Sequence, residues 1–212
     1  MTTHLGLQRI LLPSAQVSSL TTGSITLPSA RGAFKEGDYD SISTVTLGSD
    51  AAFAEITSIP STYTHLQIRG IARTSHPGPA DCRMQFNGDT GNNYAVHYLR
   101  GDSSSIVSAN TTSTSSALAG KLSYNTTAPY NNVFNSVVID ILDYANTNKY
   151  KTSKTLGGYN TNGNGTFPGL TDFQSSLWMS TSAITSIKFF SLDGGTLLKS
   201  GSTFALYGIT SA

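Results

Sequence analysis

The sequence predicts an all-β fold: a jelly-roll-like β-sandwich behind an extended N-terminal arm. Three observations carry that prediction. From about residue 39 onward the apolar residues recur with a period of two, the signature of half-buried strands. The periodic runs are short and separated by Gly, Asn, Ser and Thr, and no amphipathic helix of convincing length interrupts them. Charged residues make up only 12% of the chain, while Ser and Thr fill roughly a quarter, which suits hydroxyl-lined strands and polar turns.

Residues 1–36 lack this alternation. They carry Pro13, Gly23, Pro28 and Gly32 among many Ser and Thr, and read as an arm with at most one short ordered turn around "LQRILL". The apolar patch Ile10, Leu11, Leu12 is wasted in a solvated tail, so the arm is expected to dock through it. Residues 37–212 then form a single sandwich domain, a size that buries a sizeable core.

Taken in order, "SISTVTL" sets Ile42, Thr44 and Thr46 against Val45 and Leu47. "THLQIRGIAR" puts Leu66, Ile68 and Ala72 on one face and His65, Gln67, Arg69 and Arg73 on the other. "DCRMQF" turns Cys82, Met84 and Phe86 inward and ends in "NGD", a two-residue turn signal, with "NYAVHYL" as the return strand. "SVVIDILDY" is the longest apolar strand. "SLWMST", "ITSIKFF" and "STFALYGI" complete the set, the last apolar on both faces and so expected to be central. Residues 101–120 and 157–169 are polar and of low complexity, and read as long flaps at one end of the sandwich.

Composition excludes several classes. A formal net charge of +1 favours neither nucleic acid nor an anionic membrane. The single cysteine, Cys82, excludes internal disulfides and cysteine-based zinc sites. "MTTHLGLQRILLP" has no basic start and no sustained apolar run, so it does not read as a signal peptide. Nor does any segment reach the ~18 apolar residues of a membrane span.

The candidate sites are few. "LDYANTNKYKT" gathers Asp143, Asn146 and Asn148 at a strand end. It departs from the compact oxygen-ligand patterns of calcium loops, and Asn and Asp also shape turns through their own backbone. A hairpin turn is the favoured reading, with sugar contact and metal behind it. His4, His65, His76 and His97 are scattered and share no ligand spacing. There is no Gly-x-Ser-x-Gly elbow, no phosphate loop, no dinucleotide fingerprint and no evident carboxylate pair. An enzyme and a bound cofactor are therefore not expected. Tyr130, Tyr159 and Phe167, on the expected flaps, are the candidate glycan contacts. The sequons at Asn110, Asn125 and Asn164 follow from the abundance of Asn, Ser and Thr.

The stretches "ITSIPSTYTHLQIRGIART", "FNGDTGNNYAVHYLRG", "IDILDYANTNKYKT", "LWMSTSAITSIKFF" and "STFALYGI", in that order over residues 53–209, resemble a family of bacteriophage virion-associated structural proteins. The arm does not share in the resemblance. It implies a particle component assembled in a bacterial cytoplasm, and it carries over no catalytic or ligand residues. The expected role is a capsid decoration (cement) or head-fibre subunit, displayed on the virion, homotrimeric and anchored by its arm to capsid or tail proteins. The alternative is a tail-fibre or tail-tip module that recognises a host surface polysaccharide. A depolymerase is the third and weakest reading.

Overall fold

The computed structural model describes residues 39–102, 104–124, 132–162, 169–192 and 195–210. The docking patch Ile10, Leu11, Leu12 and the aromatics Tyr130 and Phe167 lie outside them. The described residues form twelve strands: β1 (Tyr39–Thr46), β2 (Phe53–Ile56), β3 (His65–Thr74), β4 (Ala80–Phe86), β5 (Tyr94–Asp102), β6 (Ile106–Thr114), β7 (Ala117–Tyr124), β8 (Asn135–Leu142), β9 (Lys151–Asn160), β10 (Gly169–Trp178), β11 (Ile187–Ser191) and β12 (Thr203–Ile209). No α-helix occurs among them, so the all-β prediction holds.

The strands form one large open mixed sheet. Eight run antiparallel in the order β1-β12-β3-β8-β9-β10-β5-β6, and four more in the order β2-β11-β4-β7. A short parallel pairing of Arg73 and Thr74 with Ser123 and Tyr124 joins the two sets. The apolar faces meet between them. Leu66, Ile68 and Ala72 of β3, Val137, Ile139 and Ile141 of β8, and Phe204 and Leu206 of β12 pack with Cys82, Met84 and Phe86 of β4 and Ile187 and Phe189 of β11. Phe189 stacks on Phe204 with centroids 4.2 Å apart. Gly70 makes room for that ring, since a Cβ there would lie 3.0 Å from Phe204 Cδ1.

Polar residues also point inward, for a reason specific to β7. That strand pairs with β4 along one edge. Its other edge faces side chains of β9 and β10. Leu118 N–H donates to Ser176 Oγ at 3.0 Å, and Gly120 N–H donates to Gln174 Oε1 at 2.9 Å. Thr155 Oγ1 donates to Leu118 O at 3.4 Å. Buried hydroxyls and an amide thus stand in for a missing strand, which is how an edge inside the fold satisfies its backbone.

Three expectations are corrected. Residues 101–120 are not a flap: they hold the end of β5, all of β6 and the first half of β7. Thr is β-branched and suits an extended strand, while Ala117, Ala119 and Gly120 are small enough to be buried on both faces of β7. Residues 157–160 and 169 likewise belong to β9 and β10, which leaves a shorter connection. Finally, "NGD" makes its turn, with φ of 54° at Asn87 and 69° at Gly88, but β4 and β5 do not pair. Asn87 instead ties the turn to the chain before β11, accepting from Thr185 N at 2.8 Å and Ser186 N at 3.1 Å. Asp89 holds the crossing, accepting from Trp178 Nε1 at 2.7 Å and Gly91 N at 2.8 Å. The chain then enters the longer sheet as β5, against β10.

Candidate functional site

The outer face of the longer sheet carries a broad surface groove. Cross-strand register lines up Arg69, Val138, Leu156, Phe173 and Leu99 in one row over β3, β8, β9, β10 and β5. Two residues along, on the same face, Ile71, Ser136, Gly158, Thr171 and Gly101 form a second row that ends at Ile106 of β6. The first row is a ridge of half-exposed aliphatic and aromatic side chains. The second is a furrow of small residues crossing the strands. Together with Phe134, Asn160 and Asp102 it borders an open groove of about 1260 Å³. Gly101 leaves it open, because a Cβ there would meet nothing within 4 Å; a glycine inside a strand with free space above it is typical of a place where another chain or ligand comes close.

Among the described residues lining the furrow, Asp102 is the one carboxylate, and its Oδ1 accepts from Ser104 N at 2.8 Å and Ser105 N at 2.7 Å. These bonds hold the carboxyl at about 2, so it stays ionised and serves the β5–β6 turn. At the Arg69 end, the guanidinium lies over the stacked rings of Tyr39 and Tyr207, 5.7 and 5.9 Å from their centroids.

Tyr159 is not on a flap. It lies in β9 with its ring side turned to the interior, 7% exposed, and its hydroxyl has no partner among the described residues. Burial raises its pKa. It borders the furrow from below and presents no platform for a sugar ring.

A charged network inside the fold had no local signal in the sequence. Asp81 of β4 accepts from Lys121 Nζ of β7 at 2.9 Å and Arg83 Nη2 at 3.2 Å, with Arg100 Nη2 of β5 at 3.6 Å. Arg100 also reaches Asp172 of β10 at 3.3 Å, and Gln174 Nε2 donates to the same carboxyl at 2.5 Å. Burial pushes Asp81 upward, but Lys121, Arg83 and Arg100 outweigh it and hold its pKa below the ordinary carboxylate value. Burial dominates at Asp172, which is raised despite Arg100. The ion pairs of Asp81 with Lys121 and Arg100, and of Arg100 with Asp172, link β4, β5, β7 and β10. Cys82, beside Asp81, is buried, which pushes its thiol up to about 12.

The Asp/Asn stretch forms the β8–β9 turn. Asp143 has φ of 51°, and its carbonyl accepts from Asn146 N at 3.0 Å. Asn146 Oδ1 accepts from Asn148 N at 2.8 Å, an Asx turn. Lys149 Nζ pairs with Asp143 Oδ2 at 2.6 Å. At the centre is Lys151, 1% exposed, whose ammonium donates to the carbonyls of Asn146, Lys149 (2.7 Å) and Thr181 (3.2 Å). A lysine fills the place a cation would take. Burial lowers its pKa, and Asp143 partly restores it. Asn146→Ala should therefore cost less than about 1 kcal/mol. Lys151→Met should cost about 2 kcal/mol, because three buried carbonyls lose a charged donor. Denaturant titration of the two variants checks both; equal costs would remove the central role of Lys151. Among the described residues, no three of His, Cys, Asp and Glu lie together as metal ligands would.

No family model, curated protein or solved structure matches the chain.

Proposed function

We propose that this chain is a structural protein of a phage virion: a surface-displayed capsid decoration or head-fibre subunit that docks through its N-terminal arm and associates with itself as a trimer. The observation that carries the reading is strand order. In a jelly roll of eight strands, the first pairs with the last, the last with the third and the third with the sixth, while the second pairs with the seventh, the seventh with the fourth and the fourth with the fifth. Setting aside β5, β6, β9 and β10, the remaining eight strands pair as β1-β12-β3-β8 and β2-β11-β4-β7, which is that order. Jelly rolls are the building blocks of many viral shells. The set-aside strands form two hairpins, β5–β6 and β9–β10, inserted after β4 and after β8; they pair with each other and widen one sheet. That widened sheet carries the furrow and ridge, a surface suited to a neighbour in an assembly.

The test is binding to emptied phage capsids. Full-length chain should bind and a chain lacking residues 1–30 should not, while keeping the circular dichroism and melting temperature of the β-domain. Normal incorporation of the truncated chain would remove the arm as anchor. Failure of the full chain to bind capsids would remove the decoration role.

One observation favours the second reading, a tail-fibre module for a host surface glycan. The furrow is long and open enough for a linear polysaccharide, and jelly rolls also serve as lectins. Binding of purified host polysaccharide, lost in Gly101→Leu, together with no binding to capsids would select it.

A further inference from the structure

Among the described strands, β6 ends the longer sheet opposite β1, and its residues are unusual for an edge. Every residue from Ile106 to Ser113 is exposed, so neither face of the strand covers a core. Ile106 is 80% exposed. The strand "IVSANTTST" holds no charge and no proline. Soluble proteins ordinarily blunt an edge with charges, proline or shortness, because its unpaired N–H and C=O groups recruit another strand. The other edges are treated that way: β2 has four residues and includes Glu55, and β1 carries Asp40 and a bulge. On β6 only the far end is blunted, by a bulge and a φ of 56° at Ser113.

Which backbone groups are open follows from the ladder. Asp102 N–H donates to Ser105 O at 3.0 Å, closing the β5–β6 turn. With Arg100 opposite Val107 and Tyr98 opposite Ala109, alternation in an antiparallel ladder gives Val107, Ala109 and Thr111 the bonds to β5. Ile106, Ser108 and Asn110 turn their N–H and C=O groups to the open side.

We propose that this edge pairs with β6 of a second copy, antiparallel about a two-fold axis at Ala109. The register opposes Ser108 to Asn110 twice, each a hydrogen-bonded pair. Val107 then faces Thr111 twice, and Ala109 faces itself. Val and Thr are both β-branched, a favourable cross-strand pairing. No charge meets a charge anywhere along the seam, which is why the strand's own copy fits it. The product is a continuous sixteen-stranded antiparallel sheet, twice the eight strands of one copy. The contact is two-fold and therefore separate from any three-fold one, and it stands whether the particle carries the protein on its head or its tail.

The experiment uses the full chain. Ser108→Pro removes an N–H that faces only the open side, and Ser108→Lys places a charge on the seam. Sedimentation should show wild type at twice the mass of either variant, or in a still larger assembly where another surface also joins copies, with melting of the β-domain retained in at least the Lys variant. In Ala109→Cys the two introduced thiols would sit on Cα atoms about 4.5 Å apart, the spacing of a non-bonded antiparallel pair, within the span of a disulfide. Mild oxidation should convert it to a covalent dimer, and Cys82, fully buried, should not contribute. A monomeric wild type, a mass unchanged by Ser108→Lys, or no crosslink at 109 overturns the proposal.

Discussion

Replacing Asp81 with Asn should destabilise the domain by about 3 to 5 kcal/mol at neutral pH, the range for removing one partner of a buried ionic group. Asp81 is the anion that three cations share. Lys121, Arg83 and Arg100 approach it from three strands, and all four side chains are less than 20% exposed. Asparagine keeps the shape but leaves three cations facing one another with only Asp172 to compensate. Burial raises the pKa of Asp172, so it is the poorer anion of the two. The pH dependence follows from the directions. Asp81 sits below its unfolded value, so its contribution is complete above that value and is lost as pH falls through the lower folded one. Asp172 has the opposite sign: ionising it weakens the fold as pH rises from the unfolded value to the raised one. Asp172→Asn should therefore cost far less at neutral pH than Asp81→Asn. Denaturant titrations of the two variants from acid to neutral pH measure both slopes. Equal midpoints for Asp81→Asn and wild type at pH 7 would mean that the network does not hold these strands together.

The faces of the strands were readable from sequence, and their partners were not. Leu66, Ile68 and Ala72, or Cys82, Met84 and Phe86, repeat every second residue because each packs on a single apolar layer, and they are buried as that pattern demands. The rule fails in β9 and β10, where Lys151, Ser153, Thr155, Asp172, Gln174 and Ser176 face inward and Leu156 and Phe173 face out. Polarity is inverted there because the inner face meets a backbone edge and a turn instead of an apolar layer. A pattern of hydrophobicity carries no record of that. Residues 101–120 escape the pattern for a related cause. Residues of β6 bury nothing and those of β7 are buried on both sides, so neither strand alternates.

The candidate site was hidden more deeply. Each residue of the ridge, Val138, Leu156, Phe173 and Leu99, is an ordinary exposed apolar position in its own strand. Only the register of four strands makes them a row. The same holds for Asp81 and Asp172, which acquire shared cations once β5 and β10 pair. In contrast, the turn at residues 143–149 is built from local bonds, and its reading as a hairpin could be made from Asp143, Asn146 and Asn148 alone. What the turn also needs, Lys151, stood in plain view as one of several lysines. Nothing nearby distinguished the buried one.

Strand β8 shows how far pattern and packing agree, and Ile139 tests it. The residue is fully buried, between Ile68 of β3 and Thr155 of β9 on the inner face. Val137 and Ile141 flank it on the same side, while Val138 and Leu142 on the other side are 38% and 45% exposed. Asp140, the one charge in the strand, faces outward and accepts from Gln67 Nε2 at 2.8 Å, opposite Lys154. A sequence apolar on both sides therefore splits into a core face and an exposed face. Truncating the core face leaves a cavity among residues that cannot collapse, because β8 is fixed by full ladders to β3 and β9. Ile139→Ala should accordingly cost about 3 to 4 kcal/mol, within the range for deleting a buried Ile. Val138→Ala removes a side chain of similar character from the ridge and should cost less than about 1 kcal/mol, since little burial is lost. If the ridge is an interface, Val138→Ala should weaken binding to capsids or to a second copy instead. Denaturant midpoints of the isolated chain, set beside affinity for capsids, separate the two faces. A large loss of stability in Val138→Ala, or a negligible one in Ile139→Ala, would mean that the inner and outer faces of this strand have been assigned the wrong way round.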